Sequence, residues 1–163
     1  MVMLFKAFAT MLATIALASP AGAQGVISER NVSMQMARTI ADTAMECAKG
    51  GIGLSVAVVD RAGSLKVLVR GDGSPPTGAE LSRRKAYTAR TFRRPSLEWA
   101  KRTEGDLAGQ RMLADVIPLG GGMPIKVGDD VIGAVGVSGT TGGQQADEDC
   151  AKAALAKVAD QLK

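Results

Sequence analysis

An amine and a hydroxyl lie three residues apart in Lys85-Ala86-Tyr87-Thr88-Ala89, and further along Gly120-Gly121-Gly122-Met123-Pro124-Ile125 offers backbone amides with no side chains in front of them. Both features suit an anion, the first through charge and hydrogen bonding, the second through close approach to main-chain donors. Leu81, Lys85, Thr88 and Phe92 recur at helical spacing, so the amine and hydroxyl interrupt a stripe that an amphipathic helix reserves for the core. Two readings are open. Lys85 can lay its stem on the core and send its ammonium to water while Thr88 bonds back to its own helix. Alternatively, the two line a cleft that takes a carboxylate or another anionic ligand. The glycines are equally two-sided: they permit positive φ where a strand begins beside a proline, or they let a flat or bulky ligand reach the backbone.

Much other chemistry is excluded. The chain has no histidine and two cysteines, which rules out His-based triads, HExxH sites and Cys/His zinc sites. Gly136-Val137-Ser138-Gly139 has the outline of a nucleophile elbow, but Thr140 stands where the motif requires glycine and no histidine can act as base. Neither GxGxxG nor GxxxxGK[ST] occurs, and the acidic Asp147-Glu148-Asp149 that follows would repel phosphate. Arg83, Arg84, Lys85, Arg90, Arg93 and Arg94 read as a solvated basic face, with anion binding or partner docking as the alternative.

The elements that must position these residues follow from periodicity and turn chemistry. A helix is expected over 33–49, ended by Gly50-Gly51, and two strands over 54–59 and 65–69 are joined by Asp60-Arg61-Ala62-Gly63-Ser64. Thr77 and Glu80 stand at capping-box spacing for a helix running to Phe92, which Arg93-Arg94-Pro95 ends. Ser96 caps a short helix to Arg102, and 107–114 adds a helical turn or two. Strands at 116–119, 123–127 and 131–138 precede a last helix from Asp147 to the end, whose acids complement its dipole. The expected fold is a single α/β (α+β) domain: a mainly antiparallel five-stranded sheet with helices packed on it, in the order α-β-β-α-α-β-β-β-α.

Residues 1–23 read as a secretory signal peptide, with Lys6, an apolar run from Ala7 to Ala18 and the small residues Ser19-Pro20-Ala21-Gly22-Ala23. About 12 apolar residues span about 18 Å as a helix, short of a roughly 30 Å hydrocarbon core, so no membrane span is expected after cleavage. The domain is then 24–163, periplasmic or secreted. Removing Lys6 takes the formal charge from +4 to +3 (4 − 1), and aromatics are 3% of the chain, a poor basis for nucleic-acid binding. Cys47 and Cys150 fall on apolar stripes of the two terminal helices, so a disulfide requires only that those helices be neighbours. Two buried thiols are the alternative.

Leu54-Ser55-Val56-Ala57-Val58-Val59-Asp60 with Gly63, Lys85-Ala86-Tyr87-Thr88-Ala89, Gly121-Gly122-Met123-Pro124-Ile125, Ile132 to Gly139, and Asp147-Glu148 with Cys150-Ala151 form a pattern that resembles the GlcG/HbpS family of haem-binding or haem-degrading domains. The C-terminal domain of PduO-type proteins is similar. The resemblance implies an antiparallel α/β domain, assembly into a homo-oligomer, and haem as the cofactor, with degradation or iron handling in some members. It places Lys85, Thr88, Gly121, Gly122, Pro124, Ser138 and Gly139, with Met123 at the same edge, around a ligand site or oligomer contact. Haem iron here has no histidine to hold it, so an iron ligand would have to be Met, Tyr, Cys, Lys or Thr, or haem would bind without strong ligation through apolar burial and propionates paired with Lys85 or nearby arginines. The alternative function is a non-enzymatic periplasmic accessory module that binds a small organic acid or a partner redox enzyme.

Overall fold

The computed structural model describes residues 25–48 and 53–163. The signal-peptide reading of 1–23 and the Gly50-Gly51 helix stop lie outside the described residues.

Ser33 caps the first helix as a hydrogen-bond acceptor, its Oγ taking the Met36 N–H at 3.1 Å. That helix, α1 (Met34–Met45), buries Ala37, Ile40, Ala41 and Ala44, and a 3-10 turn over Glu46–Ala48 ends it. β1 (Ser55–Asp60) and β2 (Leu65–Arg70) form a hairpin around Asp60, whose Oδ1 accepts the N–H groups of Ala62 and Ser64, each at 2.9 Å. α2 (Gly78–Phe92) ends at Arg93, which adopts left-handed backbone with φ 56°. α3 (Ser96–Arg102) and a 3-10 helix (Gly105–Met112) come next. A second hairpin, β3 (Gly122–Val127) and β4 (Asp130–Ser138), leads into α4 (Gly143–Lys157), and a 3-10 turn at Ala159–Gln161 follows. The strands are ordered β2-β1-β4-β3 and every neighbouring pair is antiparallel.

The sheet therefore has four strands, not five. Val116 to Leu119 is irregular because its backbone groups are claimed by side chains. Pro118 has no N–H, the Ile117 N–H donates to Thr88 Oγ1 at 2.9 Å, and the Leu119 carbonyl accepts from Ser96 Oγ at 2.8 Å. Two helix starts also differ from expectation. Thr77 makes no capping bond, since Glu80 turns to Arg83 instead, and α4 begins at Gly143, which puts Asp147 one turn inside the helix rather than at its tip. Ser96 is likewise the first residue of its helix and not the cap, which is Pro95.

Strand alternation gives the sheet two unlike faces. Val56, Val58, Val135 and Val137 point to the side of α1 and α4 and form the main core with Ile40, Ile125 and Ala151. The opposite face carries small residues, Ala57, Ala134 and Gly136 among them, and α2 lies directly on it with Ala86 and Ala89. The approach is close enough that a Cβ on Gly136 would stand 2.0 Å from the Ser82 carbonyl oxygen.

Cys47 and Cys150 form the expected disulfide, joining the end of α1 to α4 across 103 residues. Among the described residues no helix is long and apolar enough to cross a membrane.

Two outcomes test this architecture. Gly136→Ala should cost about 3 kcal/mol or more in urea unfolding, the upper end for overpacking, because the obstructing atoms are backbone. An unchanged midpoint would contradict the close approach. Reduction of the disulfide should remove about 4 kcal/mol, as a loop of about 100 residues requires, and equal melting temperatures with and without reductant would show that it contributes nothing.

Candidate functional site

Lys85 emerges from the middle of α2 facing the sheet and is 3% exposed. It does not snorkel. Its Nζ donates to the Asp147 carboxylate at 2.7 Å and to the Val137 carbonyl at 3.1 Å. Asp147, 4% exposed, lies in α4, so the pair links the helix on one face of the sheet to a helix on the other. Its second oxygen is equally engaged, accepting the Thr140 N–H at 2.9 Å and the Thr140 hydroxyl at 2.7 Å. Two of three ammonium donors and both carboxylate oxygens are thus used inside the protein.

The glycine edge closes over this pair. Gly121 has φ 120°, and a Cβ there would meet Val137 O at 2.5 Å, Asp147 Cβ at 2.8 Å and Lys85 Cδ at 3.1 Å. The Gly121 carbonyl accepts the Val137 N–H at 2.9 Å, extending the hairpin pairing past β3. Gly122 lies over the α2 backbone, its amide held by Ser96 Oγ at 2.8 Å. The Gly120 amide donates to Gln144 Oε1 at 2.7 Å. These amides are satisfied by the fold itself.

Of the residues expected at the site, Lys85, Gly121 and Gly122 come together, and Ser138 and Gly139 continue the chain from Val137 beside them. Met123 is half-buried against the main core, and Pro124 is buried opposite Ala134. Thr88 sits farther along α2, buried, donating to the Arg84 carbonyl at 2.8 Å while accepting the Ile117 N–H. Periodicity alone does not reveal Ser96, Thr140, Gln144 and Asp147. Asp147 carried one available signal, its place with Glu148 in the pattern that resembles the GlcG/HbpS family.

The basic surface of α2 is largely paired. Arg83 contacts Glu80 and Asp115 at 2.8 and 2.7 Å, bonds that raise its pKa and, through the same Arg83 contact, hold the Glu80 carboxyl below its ordinary value. Arg84 donates to the Val116 carbonyl. Burial pushes the pKa of Arg90 down, with Arg61 and Arg93 adding to the effect, and the Nε atoms of both Arg84 and Arg90 are buried without an acceptor.

The described residues contain no group of three or more His, Cys, Asp or Glu that could hold a metal ion. Concave sites of about 250, 290 and 180 Å³ lie elsewhere, respectively by Ser33 and Leu162, by Cys47 and Lys157, and by Trp99 and Arg102.

A four-stranded antiparallel sheet with α2 on one face and α1 and α4 on the other, joined by a buried lysine–aspartate pair, defines a single α+β domain. The chain belongs to the HbpS-like family: the sequence model for "Haem degrading protein HbpS-like" matches residues 32–156. Protein GlcG of Escherichia coli (strain K12) is 38% identical over 108 residues, covering 66% of this chain and 81% of that protein. HbpS of Streptomyces reticuli, solved as a double mutant, superposes with a TM-score of 0.79 at 31% identity, covering 90% of this chain and 98% of the other. A PduOC:haem complex superposes with a TM-score of 0.70 at 25% identity, covering 77% of this chain and 94% of the other.

Lys85→Met strands the Asp147 carboxylate in the interior and should cost about 3–5 kcal/mol. Asp147→Asn keeps an acceptor for Thr140, so a cycle with the double variant should give a coupling of about 1–3 kcal/mol in urea unfolding. Additive single effects would show that the pair is not a coupled unit.

Proposed function

We propose that this chain is an exported haem-binding protein of the HbpS type, with haem breakdown or iron handling as the activity that binding serves. The observation that carries the reading is the family match over 32–156, joined to the likeness of the fold to a PduOC:haem complex. The leader-like composition of 1–23 supports export.

The donor set suits haem held without histidine. The chain has no histidine, both cysteine sulfurs are spent in the disulfide, and Lys85 and Thr88 are committed to internal bonds. Methionine sulfur, Tyr87 and the lysines other than Lys85 are side-chain ligands still open to it, with apolar contact and arginine–propionate pairing supplying the rest. Haem, when bound, supplies the redox iron. The chain's own part is to seat it, pair its carboxylates and exclude water.

Enclosed cofactor pockets run from roughly 300 to 1,000 Å³, and the three cavities above, of about 250, 290 and 180 Å³, lie at or below the bottom of that range. The proposed seat is therefore an edge completed by a second copy of the chain. β3 is an edge strand, and Gly121, Gly122, Met123, Pro124, Ser138 and Gly139 surround its entry, with Met123 and Gly139 partly exposed. Lys85 and Thr88 stand behind that edge as positioning residues and do not themselves touch the ligand.

Haemin titrated into the mature chain should give a saturating Soret shift near one haem per chain or per pair, and Met123→Ala should weaken it. A spectrum that stays that of free haemin at stoichiometric protein overturns the proposal. Loss of the Soret band with ascorbate and oxygen, in the presence of catalase, separates degradation from binding.

A further inference from the structure

Away from the Lys85 pair, the chain folds α3 and the following 3-10 helix against the end of α2 and leaves a cavity of about 180 Å³ between them. Phe92, Trp99, Leu107, Arg102, Thr103 and Gln110 line it, with Arg94 at its margin. The wall is of two kinds. Phe92 and Trp99 stack with ring centroids 4.6 Å apart and planes 22° from parallel, and with Leu107 they make an apolar side. The rest is polar, with Arg94 and Arg102 as its charges beside Thr103 and Gln110.

Those charges are not equally free. Arg94 is bound to Glu98 at 2.8 Å. Arg111, behind the wall, donates to Thr103 Oγ1 at 3.0 Å and to the Ala100 carbonyl, and has Glu104 at 3.9 Å. Arg102 is exposed and makes no ion pair or hydrogen bond with any described residue, Asp106 on the neighbouring 3-10 helix included. An unpaired guanidinium beside an aromatic slot presents a planar donor fork, the geometry that carboxylates take in bidentate fashion. Trp99, one of the lining residues, is 2% exposed, and its Nε1–H is buried without an acceptor. Such orphan donors are uncommon in finished interiors.

We propose that this cavity binds a small planar carboxylate of about one ring, its ring against the Phe92–Trp99 pair and its carboxylate on Arg102. The volume favours a single-ring acid over a tetrapyrrole, being below the range of pockets that enclose larger ligands. The inference does not rest on haem binding, since none of its residues belongs to the β3 edge.

Trp99 is the one tryptophan of the chain, so intrinsic fluorescence reports this cavity directly. Benzoate titrated into the mature protein at constant ionic strength should change the emission saturably. Benzamide, of the same shape without the charge, should not. Arg102→Gln, an exposed position whose change leaves the fold intact, should weaken benzoate by about tenfold or more, the loss of one charge-assisted pair. Arg102→Lys should fall between. A linear, unsaturated response to benzoate overturns the proposal, as does equal affinity for benzamide or for the Arg102→Gln protein. Haem affinity unchanged by Arg102→Gln would leave the two sites distinct, whereas abolished haem affinity would overturn their separation.

Discussion

The closeness of α2 to the sheet is the constraint from which the rest follows. Where helix and sheet are separated by a layer of valines and leucines, as on the α1 and α4 side, a side chain has room to bend toward water. Over Gly136 and Gly122 there is no such layer, because the helix backbone itself rests on the strands. A lysine on the inward face of α2 is therefore enclosed whatever its length. An enclosed ammonium requires a counter-charge. Asp147 provides one from α4, and its burial one turn inside the helix is explained by Lys85 rather than by the helix dipole.

This pair does what apolar packing could not do at that place. It reaches past the end of the sheet, where Gly121 leaves space for two side chains and a carbonyl to meet, and so ties the two helical layers together. The disulfide performs a related task within one layer, holding α4 to the end of α1. Between them, α4 is anchored through Asp147 and Cys150, which lie three residues apart near its start. The last turns lack both ties and are held by Ala154 and Val158 in the core and by the Lys157–Glu46 ion pair. Replacement of the ion pair by apolar residues of equal volume could be neutral in free energy, but it would leave the Thr140 amide and the Val137 carbonyl without partners. The polar pair is thus coupled to the course of the backbone from Ser138 to Gly143.

Much of the fold was legible in the sequence because the signals were local. Alternation over Val56–Val59, the Asp60 turn, the Ser33 cap and the apolar stripes bearing the cysteines each depend on neighbours in the chain. The fifth strand failed for a non-local reason. Val116-Ile117-Pro118-Leu119 has strand composition, but its groups are claimed by Thr88 and Ser96 from two other helices. The Lys85 environment was half legible: periodicity showed that an amine breaks a buried stripe, and the resemblance gathered it with the right glycines. Its partner was hidden because Asp147, read as a capping acid, is 62 residues away. The triple glycine carried two readings, positive φ at a strand entry or bare backbone for a ligand; Gly121 has positive φ, and both Gly121 and Gly122 are pressed on from within the fold.

A haem-binding reading has to accept that consequence. A lysine neutralised at 2.7 Å and 3% exposed is an expensive partner for a propionate, since freeing it would strand Asp147 in the interior. Recognition of an anionic macrocycle is cheaper where charge is already in water or unpaired. On this chain that means arginines outside the sealed pair, Arg90 with its buried unpartnered Nε among them. The bonds of the lysine run to Asp147 and to the Val137 carbonyl beside Gly121, and none of them reaches the exposed edge of β3.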